Sequence, residues 1–220
     1  LGVLKRIINI FVAFFVIASF GCSGGSGSFV GTSSSSSGGL DTSSSGSSGS
    51  SSSSNTTNTT KIGYLVDSPV EGVEYVCGSK TGMTGTDGSF QYDEGASCIF
   101  KIGAVTVGSL PTMTTDAIVT PYDLAQTSRS DTDNAAALQI AQFLQSLADT
   151  TTAGRIKITS AVTTSLQSSE KTSIPSASSA KINSLVTVDA SKTLVTTADA
   201  KTAMQSYLTA NSIDKSKGAV

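Results

Sequence analysis

Residues 61–107 read KIGYLVDSPVEGVEYVCGSKTGMTGTDGSFQYDEGASCIFKIGAVTV, and this stretch decides the fold. Apolar or alternating runs recur along it at residues 62–66, 73–77, 89–92, 98–102 and 104–107. Turn signals separate them: Asp67-Ser68-Pro69, Gly78-Ser79, Thr86-Asp87-Gly88, Glu94-Gly95 and Gly103. β-Branched and aromatic residues bounded by Gly, Asp and Pro are the pattern of antiparallel strands. Asp87-Gly88 tolerates positive φ at both positions and predicts a two-residue hairpin. The stretch therefore predicts a small antiparallel β-sandwich or barrel.

Downstream the period changes. Ala136, Ile140, Phe143, Leu144 and Leu147 fall on one helical face, with Gln139, Gln142 and Ser146 outside it. Asp131, Thr132 and Asp133 are N-cap candidates and Asp149-Thr150 ends the pattern. This helix is expected to cover an open face or end of the β-unit. A weaker helix is predicted over residues 160–167 and a strand over 185–188. A closing helix over 197–210 would have Ala200, Ala203, Met204, Tyr207 and Leu208 on one side, Thr197 as cap and Asn211 as stop. The fold class is thus mainly β with appended helices, α+β. Residues 61–149 read as a β-sandwich-like domain with its packing helix, and 150–220 as a mixed helical and strand extension. Whether that extension is a second domain or packs onto the first is left open.

Upstream, residues 23–60 are nearly all Ser, Gly, Thr and Asn, with Phe29, Val30 and Leu40 as isolated apolar exceptions. Such a composition buries too little surface to offset its ordering entropy. It predicts a flexible tether with an end-to-end distance of roughly 30–40 Å. Before it lies an apolar run, residues 7–22, ending Ser19-Phe20-Gly21-Cys22 and preceded by Lys5 and Arg6. The run is shorter than the ~20 apolar residues of a spanning helix and has the layout of a secretory signal. A cysteine directly after Gly21 is the residue that bacterial lipoproteins acylate. Ser19 and Phe20 depart from the usual Leu and small residue at those places. Ser19 and Gly21 also suit ordinary signal peptidase, which would release a soluble chain, and an uncleaved anchor is a third reading. The expectation is a signal over residues 1–21, an acylated Cys22 and a tether over 22–60, with the membrane as partner through the lipid. Ser23 after the cysteine points to the outer membrane or cell surface of a bacterial envelope. Leu1 stands where a complete frame would carry Met, as in a fragment or an alternative start.

The three cysteines divide accordingly. Cys77 and Cys98 lie in the β-rich segment and can pair, leaving Cys22 for the lipid. Closing a loop of about 20 residues would stabilise the fold by roughly 3 kcal/mol. Three free thiols are the alternative, disfavoured in an oxidising compartment.

Composition narrows function. Removing Lys5 and Arg6 takes the formal charge from −2 to −4, which leaves no basic face for nucleic acid. With no histidine, Ser-His-Asp and Cys-His nucleophile systems, histidine metal sites and imidazole pH switches are excluded. Tryptophan, the usual sugar-stacking platform, is also missing. Asp131, Asp133 and Asn134 alternate like a calcium loop, but Ala136 and Gln142 stand where an EF-hand needs Gly and Glu. They are expected to cap the helix. Asp67, Glu71, Glu74, Asp93 and Glu94 could serve acid/base chemistry by type, yet nothing brings a pair together, and they are expected to be solvated. No serine–lysine or phosphate-loop motif is present, and no cofactor or metal is expected. Tyr64, Tyr75 and Tyr92 remain as a candidate binding patch, subject to strand register.

Gly63-Tyr64, Asp67-Ser68-Pro69-Val70, Gly72-Val73, Tyr75, Thr84, Asp87-Gly88, Phe90 and Tyr92 resemble a β-domain of bacterial surface lipoproteins. That domain is of the carboxypeptidase-regulatory or transthyretin-like class. The resemblance continues through Phe100, Ile102-Gly103, Val107-Gly108, residues 120–124 and residues 140–147, and thins out after Asp149. It implies a structural or binding module and carries no catalytic set. The expected function is a non-catalytic envelope module for adhesion, structure or the binding of an extracellular protein or glycan. A small exported enzyme, or an accessory domain of one, using carboxylates is the alternative.

Overall fold

The computed structural model describes residues 59–218. The predicted signal, Cys22 and all but the end of the tether lie outside the described residues. The fold is α+β, with sheets that are not closed into a barrel.

Seven strands follow the β-rich stretch: β1 (Thr60–Leu65), β2 (Val70–Glu71), β3 (Glu74–Cys77), β4 (Lys80–Met83), β5 (Ser89–Asp93), β6 (Cys98–Ile102) and β7 (Val105–Leu110). Next come β8 (Ile118–Val119), α1 (Pro121–Leu124), α2 (Ala135–Leu147), β9 (Ile156–Lys157) and α3 (Ser160–Gln167). The chain then forms β10 (Thr172–Ser173), α4 (Ser179–Val186) and α5 (Thr197–Ala210). One sheet runs β5-β1-β8, a second β10-β7-β6-β3-β4, and β2 pairs with β9. The longer strands pair antiparallel as their alternation requires; the two-residue strands β8, β9 and β10 add short parallel pairings.

The period of two sets which side chains meet. Leu65, Phe90 and Tyr92 point inward from the smaller sheet; Tyr75, Cys77, Cys98, Phe100 and Ile102 do so from the larger. Phe90 is the junction. Its ring stands 5.6 Å from Tyr75, 6.2 Å from Tyr92 and 5.0 Å from Phe100, edge-on to the last. Such tilted contacts add about 0.5–1.5 kcal/mol each beyond area burial. Cys77 and Cys98 are directly opposed on β3 and β6 and form the expected disulfide.

Three expectations are corrected. The Asp87-Gly88 turn forms, with Gly88 at φ 81°, but it closes no hairpin: β4 pairs with β3 and β5 with β1, so the turn carries the chain between sheets. The strand expected over 185–188 is instead the end of α4 at Val186 followed by a turn. Ser178 caps that helix by accepting from the Lys181 amide, and Ile182, Leu185 and Val186 share its buried face. A four-residue apolar run cannot by itself separate a strand from a buried helix end. The caps of α2 and α5 are Asn134 and Thr196, each one residue from the expected position.

The segment after Asp149 belongs to the same core. Ile156, Ile158, Val162, Leu166, Ile174, Ile182, Leu185 and Val186 join Phe90, Phe100, Phe143 and Leu144 in one cluster. Gly103 marks how closely α3 approaches: a Cβ there would stand 2.7 Å from the Gln167 amide nitrogen and the Thr163 carbonyl. A second cluster joins Ala137, Leu138 and Ala141 of α2 to Val66, Tyr122 and α5 through Ala200, Met204 and Leu208. Helix α2 therefore has core on two sides.

Candidate functional site

The polar side of α2, outside the expected apolar face, is where the chain docks residues 193–200. The Gln142 amide donates to the Val195 carbonyl at 2.7 Å, and the Ser146 hydroxyl accepts from the Val195 amide at 3.0 Å. Gln145 Nε2 donates to the Ala200 carbonyl at 3.1 Å and to both Asp67 oxygens at 3.1 and 3.0 Å. Backbone that would otherwise be buried without partners is thus satisfied by helix side chains. The hint in the sequence was the absence of any charged residue from residues 135–147, unusual for a helix with one face in water.

Asp67 was expected to be solvated. It is 1% exposed, held in a tight turn between Val66 and Pro69 and carried under α2 and α5. Burial pushes its carboxyl well above the usual carboxylate range, against the smaller opposing effect of the Gln145 hydrogen bond. Asp93 is corrected likewise: it is 2% exposed and accepts from the Ser79 amide at 2.6 Å, fastening the β3–β4 turn. Glu71 and Glu74 are half-buried and Glu94 is exposed.

Asp67 opens onto a groove of about 470 Å³. Its walls are Ser68 beside Asp67, Gln145 on α2, residues 148–150, 152 and 154–156, residues 193–196, and Asp199 and Ala203 on α5. Ala148, Ile156, Leu194, Val195 and Ala203 give it an apolar surface, and among the described residues no aromatic ring lines it. The size falls within the ~300–1,000 Å³ of small-molecule sites. Three carboxylates reach it: Asp67, Asp149 and Asp199. Hydrogen bonds from the Thr151 amide and hydroxyl hold Asp149 below the usual carboxylate range. Arg155, the cation in the wall, is paired with Glu71. Sequence reasoning singled out Asp67 by type but not the groove, which is assembled from three distant segments.

The expected tyrosine patch does not form. Tyr75 and Tyr92 are core residues, each 6% exposed, while Tyr64 is 40% exposed on the opposite side of β1. The exposed neighbours of Tyr64 are Ile62 and Met83, beside a shallow depression floored by Tyr75 and Phe90. Asn134 caps α2 by accepting from the Ala136 and Ala137 amides at 3.1 and 3.2 Å, and Asp133 pairs with Lys201, so the acidic cluster fastens the helix start. Among the described residues, no three His, Cys, Asp or Glu side chains are placed to hold a metal ion. No described helix is long and apolar enough to cross a membrane.

A buried ion network, also missed, lies apart from the groove's lining residues. Arg129, 1% exposed, donates from Nε to Asp123 at 2.9 Å and from Nη1 to Asp116 at 2.6 Å and the Asp214 carbonyl at 2.9 Å. Its Nη2 donates to Asp116 at 3.2 Å and to the Ile118 carbonyl. Burial alone would lower the guanidinium's pKa, but Asp116 and Asp123 outweigh it and the net shift is upward. Asp123 also closes the capping box of α1, accepting from the Thr120 amide and hydroxyl at 2.8 Å each.

No family model, curated protein or solved structure matches this chain.

Proposed function

We propose that this chain is an exported cell-envelope lipoprotein, anchored through acylated Cys22, whose folded part is a non-catalytic binding, adhesion or structural module. The observation that carries this reading is the Cys77–Cys98 disulfide. It accounts for two of the three cysteines and leaves Cys22, which stands behind an apolar run with a basic start. Disulfides persist in oxidising compartments, which supports export. The resemblance to surface-lipoprotein β-domains supports the same reading, as does a sequence without histidine or a nucleophile motif. Outer-membrane or surface placement follows from Ser23 and is part of the proposal.

Intact mass of the chain from its host's membrane fraction tests it. The expected species is residues 22–220 plus a diacyl or triacyl group, two hydrogens heavier after reduction. An unlipidated chain in the medium would overturn the anchor.

One observation favours carboxylate catalysis as a second reading: Asp67 and Asp149 line a single groove with pKa values displaced in opposite directions. Acid/base pairs have that signature. Asp149, however, is already engaged by Thr151 as a turn cap, which leaves the binding reading ahead.

A further inference from the structure

The groove at the Asp67 turn has features that select a ligand. Its surface is largely apolar, so the body of an occupant must be apolar. Among the described residues no aromatic ring lines it, so they offer no stacking surface for a sugar. Its fixed charges lean acidic: Asp149 and Asp199 are in the wall beside the buried Asp67, Arg155 is matched by Glu71, and of these three carboxylates Lys192 and Lys157 bear only on Asp149. Lys192, just outside, donates to the Ala148 carbonyl at 2.7 Å. An anion is therefore disfavoured and a cation favoured by charge complementarity.

Asp67 supplies the polar end. A carboxyl group offers about four lone-pair sites, and Gln145 Nε2 is shared between its two oxygens. The group is held by the Val66–Pro69 turn and by an amide anchored to the Ala200 carbonyl, so its position is set before any ligand arrives. A buried carboxyl without a counter-charge keeps its proton, and an ammonium brought against it provides the missing charge.

We propose that this groove binds an amphipathic organic cation, an ammonium group on a short aliphatic body, with the ammonium seated against the Asp67 carboxyl and the aliphatic part along Ile156, Leu194, Val195 and Ala203. This names the ligand class of the binding module proposed above and rests on that reading. An ammonium has three donors, and the Asp67 carboxyl is the acceptor group at the turn, with Ser68 lining the groove beside it.

The test is a titration of the full chain, followed by amide NMR, with hexylammonium chloride and separately with 1-hexanol. Both probes offer the same apolar body and only one offers the cation. Hexylammonium is expected to shift the amides of Gln145, Thr196 and Ala203 saturably and to bind about tenfold or more tighter than hexanol. Asp67→Asn, which retains an oxygen for Gln145, should bring the two affinities together. Ala203→Leu, which fills the groove from α5 with a good helix former, should abolish both. Equal affinity in the unsubstituted chain would overturn the proposal. So would an ammonium preference that survives Asp67→Asn, or the absence of saturable binding by either probe. None of these results bears on the mass of the Cys22 adduct, so failure here is separable from failure of the lipoprotein reading.

Discussion

Asp67 is the residue at which burial and charge oppose each other most directly. Its side chain is buried with a single amide donor, and its folded-state pKa lies well above the ordinary 3.8. Below that ordinary value the carboxyl is neutral in both folded and unfolded chains and has no effect on pH dependence. As pH rises past it, the unfolded chain ionises while the folded chain retains the proton. The stability that the neutral group contributes is then lost until pH passes the folded value. Asp67→Asn removes this slope. Thermal unfolding from pH 3.5 to pH 7 should show the variant gaining on the parent as pH rises, by about 1.4 kcal/mol for each unit of pKa displacement traversed. Parallel melting curves would mean that Asp67 ionises in the fold as easily as in water. The sequence identified Asp67-Ser68-Pro69 as a turn, and the turn is there. What it could not reveal is that residues 193–203, more than a hundred positions away, close over it.

At the scale of elements, the Arg129 network joins parts that the hydrophobic pattern leaves loose. Helix α1 has four residues, too short to hold itself, and its position depends on the Thr120–Asp123 capping box and on Arg129 behind it. The same guanidinium holds the Asp116 loop and the Asp214 carbonyl after α5. Removing one partner of a buried ion pair typically costs about 3–5 kcal/mol, because the charges left behind are uncompensated. Arg129→Ala should lower the unfolding free energy measured by urea denaturation by that amount. Arg129→Lys should recover less than half, since an ammonium has three donors and cannot match Asp116 and Asp123 in two directions. A loss below about 1 kcal/mol for the alanine variant would place the network among ordinary surface pairs. The sequence was legible where a periodic pattern was long. The main strands, α2, α3 and α5 follow their patterns because alternation and helical spacing report directly on which face is buried. It was illegible where pairing is non-local. Arg129 and Asp116 sit in loops without periodicity, and β8, β9 and β10 are two-residue strands that exist only because a partner edge is present. The tyrosines divide for the same reason: strand parity places Tyr75 and Tyr92 inside and Tyr64 outside, and parity is invisible until one pairing is known.

At the scale of the whole molecule, the open question was whether residues after Asp149 are an extension or part of the fold. The core answers in physical terms. A chain ending at Asp149 would retain the Cys77–Cys98 bond, the two main sheets and α2, and so looks self-sufficient by strand count. It would nevertheless lose Ile156, Val162, Leu166, Ile174, Ile182 and Val186 from the main cluster. It would also lose Ala200, Met204 and Leu208 from the second. Fully burying a Val, Leu, Ile or Met side chain contributes roughly 1.5–3 kcal/mol, and the core residues left behind, Phe90, Phe100, Phe143 and Leu144 among them, would lose that cover. The truncation would also strip the polar side of α2 of Val195 and Ala200, exposing Gln142, Gln145 and Ser146 next to the newly bared Ala137 and Ala141. Residues 59–149 produced alone should therefore lack amide dispersion by NMR and bind a hydrophobic dye, whereas residues 59–218 should give a dispersed spectrum and one cooperative thermal transition. A dispersed, cooperatively melting 59–149 fragment would instead make the C-terminal segment an accessory laid over a complete β-domain. The Asp67 groove would then be a seam between two units, because most of its wall comes from residues that such a fragment lacks.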